Sequence, residues 1–154
     1  MSVVKIFPRL VLEQISFCPL GYQVFVQTLN REEYAMNMET MMNQIKQHPD
    51  YHKAGMILCH NGVVRATSRE GDGVTGLKVS VDHKRLDEII KEQKKRDGII
   101  EILIHINEDK ELVVGDDVMF LVVAGNIREN VIESLTDTLN LIKGEATTKK
   151  QYFI

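Results

Sequence analysis

An α+β fold is predicted by the way the apolar period changes along the chain. Val74–Val81 alternates, with Leu77, Val79 and Val81 on one face. Residues 83–96 then space Leu86, Ile89 and Ile90 at helical intervals, and Ile99–Ile106 returns to extended, β-branched sequence. A short strand and turn over 112–116, a strongly β-forming stretch over 117–124, a second helix over 127–143 and a short strand from Thr147 complete the pattern.

The resulting order of strand, helix, strand, strand, helix, strand is the split β-α-β-β-α-β plan of ferredoxin-like folds, with the helices on one face of a mainly antiparallel sheet. Asp82 supplies an N-cap for the first helix, because its carboxylate can accept from the free backbone N–H groups of the opening turn. The second helix carries Val131, Ile132, Leu135, Leu139 and Ile142 as an inward stripe. It ends at Lys143-Gly144, a cation at the negative end of the dipole followed by a residue that tolerates positive φ. Upstream, residues 55–60 read as a buried strand, Asn61-Gly62 as a turn signal, 63–66 as extended and 68–73 as a flexible polar loop. Met38, Met41, Met42 and Ile45 mark a short amphipathic helix closed by His48-Pro49. Residues 1–35 hold two of the three prolines and no clear period. They are expected to be an extension to a domain over 36–154: a strand pair, a loosely attached arm, or sequence upstream of the natural start.

Bulk properties exclude several functions. At 154 residues, 44% hydrophobic and 27% charged, the chain is long enough for one domain with a sizeable core. A net charge of −3 leaves no basic excess to neutralise nucleic-acid phosphates, so any anion site must be local. No apolar run approaches the roughly 18 residues of a membrane span. Pro8, Arg9, Glu13 and Pro19 interrupt the apolar start, so no clean secretory leader is expected. Cys18 and Cys59 have no CxxC or Cys/His spacing and read as reduced thiols, which points to the cytoplasm. No His, Cys or acidic spacing suggests a metal, and no cofactor is implied.

Candidate chemistry is cationic. Arg65 follows a strand, with Arg69 beside it, and can present guanidinium forks to a phosphate or carboxylate. Lys143, Lys149 and Lys150 cluster at the end of the last long helix. On spacing alone the plainer reading of all of these is a solvated loop or edge. His105 alternates against apolar neighbours and is either a hydrogen-bonded sheet histidine or a proton carrier. His60 reads as a residue flanking a turn, and Arg128 opens a helix whose N-terminus can hold an anion.

Taken together, Gly55-Met-Ile-Leu-Cys-His-Asn-Gly-Val-Val-Arg65, the turn at Leu112-Val-Val-Gly-Asp116, the strand over 117–124 and the Leu141-Ile-Lys143…Lys149-Lys150 ending resemble the large, catalytic subunit of molybdopterin synthase, the MoaE family. The resemblance covers roughly residues 38–153. It implies the α/β hammerhead form of the split core, with an added N-terminal strand and helix region. It implies a sulfurtransferase that turns precursor Z, a cyclic pyranopterin monophosphate, into the dithiolene molybdopterin. Sulfur would arrive as a thiocarboxylate on the C-terminal Gly-Gly of a small ubiquitin-like subunit, in a heterotetramer built on a dimer of large subunits.

By the same resemblance Arg65 matches the arginine of the family's G-x-V-R segment, and Lys143 the lysine closing the last long helix. Lys150 matches the second family lysine when counted without gaps, whereas aligning the lysine pairs favours Lys149. Arg128 matches the arginine of a His-Arg pair whose histidine is replaced here by Ile127. A Pro-aromatic segment of the family is replaced by Ala146-Thr147-Thr148. These departures leave room for a rival reading, a non-catalytic member that binds a pterin or a partner's tail without turnover.

Overall fold

The computed structural model describes Ser16–Phe17, Gln23–Val24 and residues 36–154. In the first unit, Met1–Ala35, Ser16–Phe17 (β1) pairs antiparallel with Gln23–Val24 (β2). The remaining expectations for residues 1–35, and for Cys18, lie outside the described residues.

The second unit, Met36–Ile154, holds two three-stranded antiparallel sheets. The first runs in the order β3 (Met56–Val63), β7 (Asp117–Gly125), β5 (Ile99–Ile106); the second runs β6 (Leu112–Val113), β4 (Val74–Val81), β8 (Thr147–Phe153). The chain is thus α+β. Its β5–β7 and β4–β8 pairs are those of the split plan, but β4 and β7 are not bonded neighbours, so one sheet becomes two. Side chains occupy that seam instead: Leu77 and Val79 of β4 and Met119 of β7 share a core with Val64, Leu86, Ile89, Leu112 and Ile142.

Every residue from Met119 to Gly125 is buried, which explains why this stretch is uniformly apolar rather than alternating. Phe120, Val122 and Ala124 pack against Met41 and Ile45 of helix α1 (Met38–Lys46). Leu121 and Val123 face Val131 of helix α3 (Arg128–Leu141), with Leu135 and Leu139 alongside. Helices therefore cover both faces of the first sheet, not one as the split plan implies, because the methionine-rich segment before it supplies an additional helix. Asn37 caps α1, accepting from the Thr40 N–H at 2.9 Å, and Asp82 caps α2 (His83–Gln93) as expected, accepting from the Arg85 N–H at 3.1 Å.

Three local expectations are corrected. Asn61-Gly62 is no turn: β3 runs through it, with Asn61 opposite Phe120 and a bulge at Gly62/Val63. The pairing strand β7 is long enough to continue the ladder, and Asn61 Nδ2 donates to Asp117 Oδ1 at 2.7 Å. Ile132 is not inward but 48% exposed, while Ser134 and Thr138 fill the buried stripe. Finally, α3 does not stop on a positive-φ glycine; it widens into a π-helical turn, Ile142–Ala146, that contains Gly144. Among the described residues no helix is long and apolar enough to cross a membrane.

Candidate functional site

The seam between the two sheets opens into a cavity of 490 Å³. Its apolar walls are Leu77 and Val79 from β4 and Val118 and Met119 from β7, the strands a continuous sheet would have joined. Around them stand Arg65, Arg69, Lys143 and Lys149, with His60, Thr147 and Gln151. Among the described residues no carboxylate lines it and none of the four cations is in an ion pair. An anion entering this cavity meets unneutralised donors against a low-dielectric wall, where charge-assisted hydrogen bonds are strongest.

Each cation is held by a local device. Arg65 follows Val64, which is 2% exposed and is locked to the 113–116 turn by Val64 N–H to Asp116 O at 2.9 Å and Gly115 N–H to Val64 O at 2.8 Å. Arg69 rides a loop that is closed rather than flexible. Ser68, 4% exposed, accepts on Oγ from the N–H groups of Glu70 and Asp72 at 3.1 Å, and its own N–H donates to Asp72 O at 2.8 Å. Gly71, with φ of 100°, makes the return possible.

Lys143 projects from the π-helical turn between two buried anchors, Ile142 and Ala146. Thr147 Oγ1 donates to Ile142 O at 3.2 Å, and Asp82 N–H donates to Ala146 O at 2.8 Å. Partial burial, then the charges of Arg69 and Lys149, hold the Lys143 amine below the usual lysine range. The same lysine is solvent-exposed as a residue, so its amine is both reachable and easier to deprotonate than a free surface lysine.

The period of β8 separates the two neighbouring lysines. Lys149 lies opposite Val79, and Gln151 opposite Leu77, so both share the face that looks into the cavity. Lys150 lies opposite Lys78 on the other face and sits 5.5 Å from the ring centre of Tyr152. The structure thus brings together Arg65, Lys143 and Lys149 of the sequence candidates and leaves Lys150, Arg128 and His105 apart. Arg128 is paired with Glu129 at 2.6 Å on an exposed helix start. His105 stacks on Phe120, with centroids 6.3 Å apart and planes 16° apart, on the face covered by α1.

His60 is the residue that sequence reasoning placed wrongly. With β3 continuous, it alternates onto the cavity side, and its Nε2 is buried without a hydrogen-bond partner among the described residues. Burial, then the charge of Lys143, keeps its imidazole below the ordinary histidine range. A second hollow, lined by Asp50, Lys53, Gly98, Ile99, Ile100 and Asn126, offers less: Lys53 and Asp50 neutralise each other at 2.7 Å.

A family model described as MoaE protein matches residues 32–145. The curated "Probable molybdopterin synthase" of Haloferax volcanii is 30% identical over 142 residues, covering 82% of this chain and 52% of that protein. The chain thus spans about half the length of that relative. Among solved structures, molybdopterin synthase from Staphylococcus aureus superposes with a TM-score of 0.57 at 19% identity, covering 84% of this chain and 86% of that one. The MoaE protein of Burkholderia ambifaria gives 0.61 at 18%, covering 77% and 82%. A chain from the complex of subunits 1 and 2 of molybdopterin-converting factor from Helicobacter pylori gives 0.59 at 15%, covering 77% and 80%. The likeness to these solved structures is one of fold, and the match of the family model over most of the sequence establishes that this chain belongs to the MoaE family.

Proposed function

We propose that the chain is the catalytic large subunit of a molybdopterin synthase, acting in molybdenum cofactor biosynthesis in the cytoplasm. It would transfer sulfur from the C-terminal thiocarboxylate of a small ubiquitin-like carrier to precursor Z. The observation that carries this reading is the meeting of Arg65, Arg69, Lys143 and Lys149 in one cavity that, among the described residues, no carboxylate lines. Both reactants are anions, a phosphate ester and a thiocarboxylate, and such a cavity can desolvate and hold both at once.

In this reading Arg65 and Arg69 grip the phosphate, where a planar fork is the better partner. Lys143 and Lys149 face the thiocarboxylate and the anionic intermediates that follow its attack, and the lowered pKa of Lys143 suits it to pass a proton as well as to carry charge. Leu77, Val79 and Met119 leave an apolar floor for the pterin ring. The two-subunit complex from Helicobacter pylori supports a partner subunit; a heterotetramer built on paired large subunits is part of the same proposal.

One observation favours a second reading. Ile127, where the family carries a histidine, is 51% exposed and provides no side-chain cap for α3. A member that binds pterin or carrier without turnover would tolerate that loss. Calorimetric titration with precursor Z and with a carrier ending in Gly-Gly tests the binding common to both readings. The synthase reading expects both to bind wild type and precursor Z to bind Arg65→Ala more weakly; absence of either interaction contradicts it.

A further inference from the structure

Among the side chains that line the seam cavity, the arginines and lysines can only donate hydrogen bonds at neutral pH, and Thr147 and Gln151 do not titrate. Besides Lys143, His60 is the lining side chain that can both accept and release a proton, and an imidazole does so closer to neutrality than an amine. The His60 Nε2 is buried and, among the described residues, unpartnered, and a Cβ placed on Gly62 would lie 3.3 Å from that nitrogen, so glycine there leaves the ring free.

Among the described residues, the groups facing the imidazole are all cationic or neutral. Arg65 lies just past the end of β3, Arg69 comes from the 66–73 loop, Lys143 from the π-helical turn and Lys149 from β8. Strands β4 and β7 contribute Leu77, Val79, Val118 and Met119, and α3 turns Leu135 and Leu139 toward β3. An empty cavity of this kind opposes a fifth positive charge. A tetrahedral dianion bound among the same cations offsets part of their positive field and gives a protonated Nε2 something to donate to.

We propose that His60 is a second proton-exchanging residue of this cavity beside Lys143, taking one proton from solvent onto its imidazole when a phosphate-bearing anion enters, and then facing that anion as a hydrogen-bond donor. The inference deepens the synthase reading and rests on the same cavity: the substrate's own charge arms the acid. It also explains how a chain without the family histidine at Ile127 retains a titratable imidazole beside its lysines.

The test is a histidine Cε1 nuclear magnetic resonance titration of the whole chain, with and without saturating sulfate at matched ionic strength. Sulfate is chosen because it does not itself titrate in this range. The His60 resonance is identified by its loss in His60→Gln, or in His60→Asn should the first variant not fold. The expected result is a His60 midpoint raised by about one pH unit with sulfate, while the midpoints of His52 and His105 stay fixed. An unmoved His60 midpoint, or an equal rise at all the histidines, overturns the proposal. The outcome is separate from turnover: a raised midpoint without molybdopterin formation upholds His60 and ends the synthase reading, and product formation with an unmoved midpoint does the reverse.

Discussion

The guanidinium of Arg85 clasps one carboxylate oxygen of Glu145, with Nε at 2.9 Å and Nη2 at 2.6 Å, and so ties α2 to the turn that presents Lys143. Glu145 is two positions from Lys143, and the turn between them has only the buried Ile142 and Ala146 as other anchors. Exposed ion pairs add little to global stability, but a reacting amine is sensitive to small displacements. Arg85→Ala is therefore expected to lower kcat about tenfold while KM changes little and Tm moves by only about 2 °C. Steady-state kinetics alongside a thermal melt checks this; an unaltered kcat would show that Ile142 and Ala146 hold the turn unaided.

Lys149 and Lys150 are adjacent in sequence and opposite in space. Lys149→Ala should cost about 1.5–3 kcal/mol of substrate or transition-state binding, the value of a charged hydrogen bond, whereas Lys150→Ala should stay within about 0.5 kcal/mol. Comparing kcat/KM of the two variants decides between them, and a larger loss in Lys150→Ala would mean that β8 pairs with β4 in another register.

Arg65 and Arg69 approach the cavity from a strand end and a tied loop, and both are assigned to the phosphate. Alanine at either should weaken binding of precursor Z by about 1.5–3 kcal/mol and reduce the salt dependence of that binding. Ser68→Ala should weaken it less, through a loosened loop. Titration calorimetry at two salt concentrations reads all three effects, and an Arg69→Ala variant that binds as wild type removes Arg69 from the site.

Lys143 gives the pH dependence its sign. Its folded pKa lies below the ordinary lysine range, so as pH rises toward that range the folded chain gives up the proton before the unfolded chain does. Charge-dependent anion binding is thus present at neutral pH and lost as pH rises through the lowered folded value, earlier than for an ordinary lysine. Stability moves the other way, rising with pH across the same window because the unfolded chain there binds more protons. Lys143→Arg should shift the alkaline loss of binding to higher pH; a pH profile identical to wild type would assign that loss to another group.

Two buried hydroxyls test the packing. Ser134 and Thr138 are fully buried, and neither Ser134 Oγ nor Thr138 Oγ1 has a hydrogen-bond partner. Ser134→Ala should be neutral or stabilising by up to about 1 kcal/mol, since it removes an unsatisfied polar atom. Denaturant unfolding measures it, and a loss above about 1 kcal/mol would indicate a bond to an internal water.

Much of the α+β architecture was legible because strand and helix periods differ and because Asp82 has the chemistry of a cap. The split into two sheets was not, since periodicity reports which face is buried and says nothing of whether Val79 and Met119 meet across a ladder or across a cavity. Asn61-Gly62 misled because its turn preference is local, whereas the ladder to β7 is not. That error hid His60, whose side depends on β3 continuing. The choice between Lys149 and Lys150 was hidden for a related reason. Both faces of β8 are polar in sequence, so only its register with Leu77 and Val79 tells them apart. Arg65 and Lys143, which both line the cavity, could be singled out in the sequence because their family positions are marked by neighbouring residues.

The most direct test is turnover. Purified chain, precursor Z and a thiocarboxylated small subunit are combined, and molybdopterin is read as its fluorescent oxidation product. The account expects product above a control lacking the chain, abolished in Lys143→Ala and retained in Lys150→Ala. Absence of product, with the carrier and precursor Z both shown to bind, would contradict catalysis and leave a binding-only member of the family.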